Sequence, residues 1–236
     1  DDAEIRPYFP LEAALKGVFT LANRLYGVTI RELTGVPLYH PEVRAFEVLD
    51  GDGTHLGVFL GDYHPRPGKR GGAWCSYYRG YWDRGGKAQR PIVVNVGSFT
   101  RPSGDTPALL SLDEVETLFH EFGHALHGLL SKARPRTLAS VPRDFVELPS
   151  QILENWVLEP EVLALYARHH ATGAPLPEDL VRRIEAARRF NQGFATTEYL
   201  AAAFLDMAWH TRREAGPVAD VRAFEKAALD RVGLVP

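Results

Sequence analysis

The stretch TLFHEFGHALHGLL, Thr117–Leu130, puts His120, Glu121 and His124 in H-E-x-x-H order. Ser111 precedes it, with Asp113 and Glu114 close behind, an N-cap followed by acidic residues that suit a helix N-terminus. On the helix this predicts, positions i and i+4 share a face, so the two imidazoles aim at one point. Neutral imidazole is a good zinc ligand, binding at about 2.0–2.1 Å. Glu121 lies roughly 100° further round the helix. There it reaches a water beside an ion rather than the ion itself, the position of a general base. Leu118, Phe119, Phe122, Ala125, Leu126, Leu129 and Leu130 surround these polar groups. A helix apolar on nearly every side is buried. Burying two histidines and a glutamate without partners is costly, and a metal relieves that cost in a way that a solvated polar strip has no need of. Gly123 costs roughly 1 kcal/mol in a helix interior, and close approach of another backbone is a gain that would offset it.

A catalytic zinc takes three protein ligands and leaves one position open. The GLLSKAR that follows His127 holds no third histidine. Further on, VPRDFVELPSQILENW, Val141–Trp156, offers Asp144, Glu147 and Glu154. Glu147 sits among Phe145, Val146 and Leu148 and is the favoured ligand, with Glu154 as its rival. Asp144 and Glu147 also have capping-box spacing, which gives Glu147 a purely structural alternative. Pro149 weakens that alternative by removing an amide donor near the first turn.

Outward from the motif, the two halves of the chain differ in period. Pro10–Gly27 has Leu11, Leu15, Val18, Leu21 and Leu25 at helical spacing and ends in glycine. VRAFEVLD and HLGVFLGDYH flank GDG, which predicts a hairpin. PRPGKRGG, Pro65–Gly72, is a breaker cluster whose Lys69-Arg70 pair is simplest as a solvated loop. AWCSYYRGYW is a strand or an ordered loop, and RPIVVNVGSF, Arg90–Phe99, is a strand that can offer an edge to an extended peptide. From Ser111 the pattern is helical almost throughout, with further helices expected at about 146–159, 160–171, 177–192, 195–213 and 218–231. The fold class is α+β, predominantly helical. Residues 1–110 form a helix and a small antiparallel sheet, and residues 111–236 form a helical layer that carries the metal site, within a single catalytic domain.

A chain of 236 residues, 45% hydrophobic, can bury a substantial core. A net charge of −3 gives no footprint for nucleic acid or an anionic membrane. No apolar run approaches the roughly 20 residues of a membrane span, and DDAEIRPYFP has no signal-peptide pattern. Cys75 is the single cysteine, so no intrachain disulfide forms and a reducing, cytoplasmic setting is the simplest reading. It is too isolated to read as a nucleophile. His127, one turn beyond His124, reads as supporting rather than ligating.

TLFHEFGHALHGLL, VPRDFVELPSQILENW and GKRGGAW together resemble the thimet oligopeptidase family of zinc metallopeptidases, which includes oligopeptidase A and peptidyl-dipeptidases. The similarity extends from IRPYFPLE to FNQGFATTEYLAAAFLDMAWH. The resemblance implies a zincin-like catalytic domain that holds one zinc ion through His120, His124 and Glu147. It implies Glu121 as the catalytic glutamate and short unstructured peptides as substrates. Members of that family are far longer, and a later glycine- and tyrosine-rich loop contributes to substrate binding and to stabilising the reacting carbonyl. Nothing after Trp209 resembles that loop, and TLASVPRDF is about two residues shorter than its family counterpart. The expectation is therefore part of a longer protein, with segments on either side as partners. Such a part binds zinc and turns over peptides poorly. The alternative is a non-catalytic, zinc-stabilised scaffold or partner-binding domain.

Overall fold

The computed structural model describes residues 1–139, 141–214 and 216–233. The chain divides into two compact units, Asp1–Pro177 and the residues from Glu178 onward.

The first unit opens with α1 (Asp2–Ile5) and α2 (Leu11–Tyr26). Along α2 the residues Leu11, Ala14, Leu15, Val18, Leu21 and Ala22 are buried, as their helical spacing predicts, while Leu25 at the end of the expected stripe is exposed. Gly27 ends the helix at φ 72°, a left-handed cap that suits glycine, and its N–H donates to the Asn23 carbonyl at 2.8 Å. Among the described residues seven strands follow: β1 (Thr29–Leu33), β2 (Arg44–Leu49), β3 (His55–Asp62), β4 (Trp74–Arg79), β5 (Trp82–Arg84), β6 (Lys87–Gln89) and β7 (Ile92–Val96). The GDG hairpin joins β2 to β3 as expected, while β1 and the small β5–β6 hairpin were not expected from the sequence.

The main sheet has the order β1-β2-β3-β7-β4, and here the expected antiparallel sheet needs correction. It is mixed, because β7 runs parallel to β3 and antiparallel to β4. After β3 the chain passes one strand position outward, runs back along β4, turns through β5–β6 and returns into the gap it left. A reversal that comes back inward sets β7 parallel to the strand it rejoins. The strand read as an offered edge is therefore interior. Val93 and Val94 are buried, as the run IVVNV suits for a strand covered on both faces. The free edge on that side of the sheet is β4.

One face of the sheet packs on helices. Phe19 of α2, Phe46 of β2, Phe59 of β3 and Phe122 of α3 (Leu112–Leu129) form an aromatic cluster, with Phe59 and Phe122 centroids 5.3 Å apart and nearly perpendicular at 78°. The opposite face holds Val43, Ala45, Leu60, Val94 and Val96, with Trp74 and Ile92 against them. The unit closes with α4 (Leu148–Glu154) and α5 (Pro160–Tyr166). Both are shorter than the sequence pattern predicts. Past Glu154 the chain tightens, as Trp156 and Val157 amides donate to carbonyls three residues back. Past Tyr166 it turns back on itself, Arg168 bridging Pro175 around Gly173 at φ 72°. In the second unit, α6 (Glu178–Arg189), α7 (Gln192–His210) and α8 (Val221–Asp230) follow the expected helices, and Trp209 packs on Phe224 at 4.3 Å. Among the described residues no helix is long and apolar enough to cross a membrane.

The loop before β4 is also corrected. Lys69 does not face solvent: its side chain is buried, and its ammonium donates to Asp62 Oδ1 and to the His64 carbonyl at 3.0 and 2.7 Å. Arg66 donates to both Asp62 oxygens at 2.6 and 2.8 Å, and the Tyr39 hydroxyl donates at 2.9 Å. Burial alone would raise the Asp62 carboxyl, but Arg66, Lys69 and Tyr39 outweigh it and hold it at about 2. The native carboxyl thus titrates below the unfolded one. Its contribution to stability is full above about pH 4 and is lost as pH falls towards about 2. Asp62→Asn should lower unfolding free energy by about 2 kcal/mol at pH 7. Urea titrations should show the gap from wild type shrinking between about pH 4 and pH 2; a gap independent of pH would refute the assignment.

Candidate metal centre

Helix α3 begins in a complete capping box. The Glu114 amide donates to Ser111 Oγ at 3.1 Å, and the Ser111 amide donates back to Glu114 Oε2 at 2.7 Å. Glu114 also accepts from the Thr100 amide at 2.7 Å, tying the loop after β7 to the start of the helix. Val115, Leu118, Phe119, Phe122, Ala125, Leu126 and Leu129 are buried, which fixes the rotation of the helix and sets His120 and His124 on one partly buried face. Their rings meet edge to face, centroids 4.9 Å apart.

Helix α4 crosses α3 at Gly123. A Cβ there would stand 2.6 Å from the Pro149 carbonyl oxygen and 2.7 Å from Ser150 Cα, both backbone atoms that cannot swing aside. The glycine thus admits the close approach that its place in the helix implied. The crossing delivers Glu147, the residue at the N-cap of α4, to the histidines. Glu147 Oε2 lies 3.2 Å from His120 Nε2 and 3.1 Å from His124 Nε2. Glu147 makes no side-chain cap, so the structural alternative from its spacing with Asp144 is not what the carboxylate does. The Ser150 hydroxyl, fully buried, donates to Glu147 Oε2 at 2.8 Å.

His120, His124 and Glu147 each offer one ligand atom, and all three atoms lie within 4.8 Å of one another. A tetrahedral ion with bonds of about 2.0–2.1 Å holds its ligands roughly 3.3 Å apart, which the nitrogen–oxygen separations of 3.1 and 3.2 Å match. Charge states fit as well. Burial lowers the His124 pKa despite the opposing charge of Glu147, which favours the neutral imidazole a metal requires. Burial would raise Glu147, but the Ser150 hydrogen bond and the two histidines outweigh it and keep it an anion. Two nitrogens and one carboxylate are a donor set for a borderline divalent metal.

Glu121 stays outside this cluster, as its rotation round the helix predicts. It is 8% exposed, and its Oε2 is buried with no hydrogen-bond partner. Burial pushes its carboxyl up to about 7; the charge of His120 opposes this and that of Glu147 adds to it. A carboxylate with one unengaged oxygen and a pKa near neutrality is matched to taking and returning a proton.

Other side chains surround the three, and the contacts of Glu154 and Tyr77 were not legible in advance. Glu154, the rival ligand by sequence, is not among the three residues whose ligand atoms converge. It contacts the other nitrogen of His120, Nδ1, at 2.5 Å. The signal was the spacing of Glu147 and Glu154 by two helical turns, which puts both on one face. Tyr77 of β4 donates its hydroxyl to the His124 carbonyl at 3.4 Å and packs where a side chain at Gly128 would stand. His127 lines a separate cavity of about 680 Å³ with Tyr77, Tyr81 and Trp82. Burial, reinforced by the charge of Glu121, pushes the Cys75 thiol up to about 12, so it remains protonated and unreactive.

One helix carries the two histidines and its crossing partner the carboxylate, an arrangement that could hold a metal ion. The sequence comparisons agree: the chain belongs to peptidase family M3, whose profile it matches over residues 1–232. It is 44% identical to the dipeptidyl carboxypeptidase of Escherichia coli over 232 residues, which is 97% of this chain and 34% of that protein. It is 41% identical to oligopeptidase A of Salmonella typhimurium over 213 residues, 89% of this chain and 31% of that protein. It is 35% identical to the organellar oligopeptidase A of Arabidopsis thaliana over 245 residues, 100% of this chain and 31% of that protein. The chain thus spans about a third of the length of these relatives.

Because the α3–α4 contact is backbone on backbone, Gly123→Ala should destabilise the protein by about 1–3 kcal/mol, although alanine favours a helix by roughly 1 kcal/mol. Denaturant unfolding checks this; a variant more stable than wild type would mean that α4 does not sit where the crossing puts it.

Proposed function

We propose that this chain is the catalytic part of a zinc-dependent oligopeptidase and hydrolyses peptide bonds in short peptides. The observation that carries the reading is the convergence of His120, His124 and Glu147 with the buried, half-unengaged carboxylate of Glu121 beside them. His120 and His124 through Nε2, and Glu147 through Oε2, would hold one zinc ion. When bound, the ion would supply a Lewis acid that polarises the scissile carbonyl and acidifies water. Glu121 accepts a proton from the attacking water and hands it to the leaving amine. The raised carboxyl pKa of about 7 makes both transfers accessible near neutrality. The apolar surround, with Phe119 and Phe122 fully buried on the same helix, limits water around these groups.

An extended peptide has a natural place on the free edge of β4, the outer strand of the main sheet, which packs against α3. The names of the relatives, dipeptidyl carboxypeptidase and oligopeptidase A, fit short peptides as substrates. We read residues 1–236 as one zincin-like catalytic region acting in the cytoplasm, the single cysteine being in keeping with a reducing compartment. Flanking segments such as those of the longer relatives would complete the substrate channel and the donors for the tetrahedral oxyanion.

Glu121 separates a catalytic site from a zinc-stabilised scaffold, since a structural site closes with a fourth protein ligand and has no use for a buried carboxylate alongside. Glu121→Gln should leave zinc content unchanged by elemental analysis and lower kcat for a fluorogenic peptide by about 10²–10⁴. Unchanged cleavage would exclude Glu121 as the base. Glu147→Ala should lose zinc together with activity; full zinc retention in this variant would remove Glu147 from the ligand set.

A further inference from the structure

We infer that Glu154 is a positioning residue that fixes the tautomer and ring orientation of His120, so that Nε2 rather than Nδ1 is the nitrogen presented to the metal. The two ring nitrogens of His120 face two carboxylates from the same helix. Nε2 is 3.2 Å from Glu147 and Nδ1 is 2.5 Å from Glu154. Glu147 and Glu154 sit at the two ends of α4, on one face and two turns apart, so the imidazole of His120 is held between them. A carboxylate is acceptor-only when ionised, and a neutral imidazole carries one N–H. The short contact at Nδ1 therefore takes the proton to that nitrogen and leaves the lone pair on Nε2, facing Glu147 and His124. Among the described residues no second carboxylate meets His124: its Nε2 meets Glu147, and Tyr77 reaches its backbone carbonyl. The two histidines are thus unequal: among the described residues only His120 has a carboxylate at each ring nitrogen.

The Gly123 crossing is what allows this. With α4 held against α3 at Pro149 and Ser150, the end of the helix that carries Glu154 still lies within hydrogen-bond reach of His120, one turn before the crossing. Leu153, beside Glu154, is buried and fixes the rotation of that end of α4.

The inference rests on the reading of His120 as a metal ligand, and its test has a readout that needs no metal. In the metal-free chain with labelled histidine, two-bond ¹H–¹⁵N spectra report which nitrogen of His120 is protonated. Wild type and Glu154→Gln, whose amide oxygen still accepts from Nδ1–H, should show a protonated Nδ1 and a bare Nε2, and Glu154→Leu should lose that preference. Zinc affinity by chelator competition should fall about 10–100-fold in Glu154→Leu and recover largely in Glu154→Gln, with thermal unfolding of the metal-free variants unchanged. Wild-type His120 protonated on Nε2 would overturn the inference, a result that stands even if the leucine variant fails to fold. So would a leucine variant that loses stability but keeps wild-type zinc affinity, which would make Glu154 an ordinary packing contact. A wild-type chain that takes up no zinc while His120 keeps the Nδ1–H form would sink the functional reading and leave the tautomer assignment supported.

Discussion

The missing side chain at residue 123 governs the candidate site. Two helices whose backbones touch need a residue without a Cβ at the point of contact, and Gly123 provides it beneath Pro149 and Ser150. Everything supplied by α4 depends on that distance: the Glu147 carboxylate, the Ser150 hydroxyl that steadies it, and Glu154 behind His120. A helix–helix separation enlarged by even one methyl group would move these groups together, because α4 is short and carries them all. The cost of glycine in the middle of α3 is compensated by a site in which both helices act as one piece.

Burial then sets the electrostatics. The aromatic and aliphatic residues of α3 pin the helix to the sheet and strip water from the polar residues between them. The same desolvation acts in opposite directions on the two kinds of side chain. It pushes His124 towards the neutral imidazole and Glu121 towards the neutral acid. Glu147 escapes because it is half-exposed and hydrogen-bonded, so it stays charged where a cation would be wanted. Burial on α3 and exposure at the start of α4 thus give three neighbouring ionisable groups three different characters.

The sequence made the helical parts and the histidine pair legible because both are local: spacing on a helix determines which side chains share a face. The same reasoning reached Glu147 through its apolar neighbours. It ranked Glu154 only as a competing ligand, because the relation of α4 to His120 depends on a crossing that no local pattern specifies. The sheet shows the limit more sharply. The residues of β2, β3 and β7 announced strands, those of β1 and the β5–β6 hairpin did not, and nothing local showed that β7 would slip inside β4, since strand order depends on chain reversal over a long connection. Lys69 was misread for a related reason. A lysine in a glycine- and proline-rich stretch looks solvated until Asp62, at the end of β3, is seen to lie underneath it.

The inward return of β7 leaves β4 with one row of amides and carbonyls unsatisfied by the sheet. Such a row is indifferent to what pairs with it, and another copy of the same strand is as good a match as any peptide. β4 is short, its register is interrupted between Tyr77 and Arg79, and it ends in a charged residue. These features discourage the long flat pairing from which fibrils grow. The protein can keep an open edge beside α3 because that edge is too irregular to serve as a template for its own kind.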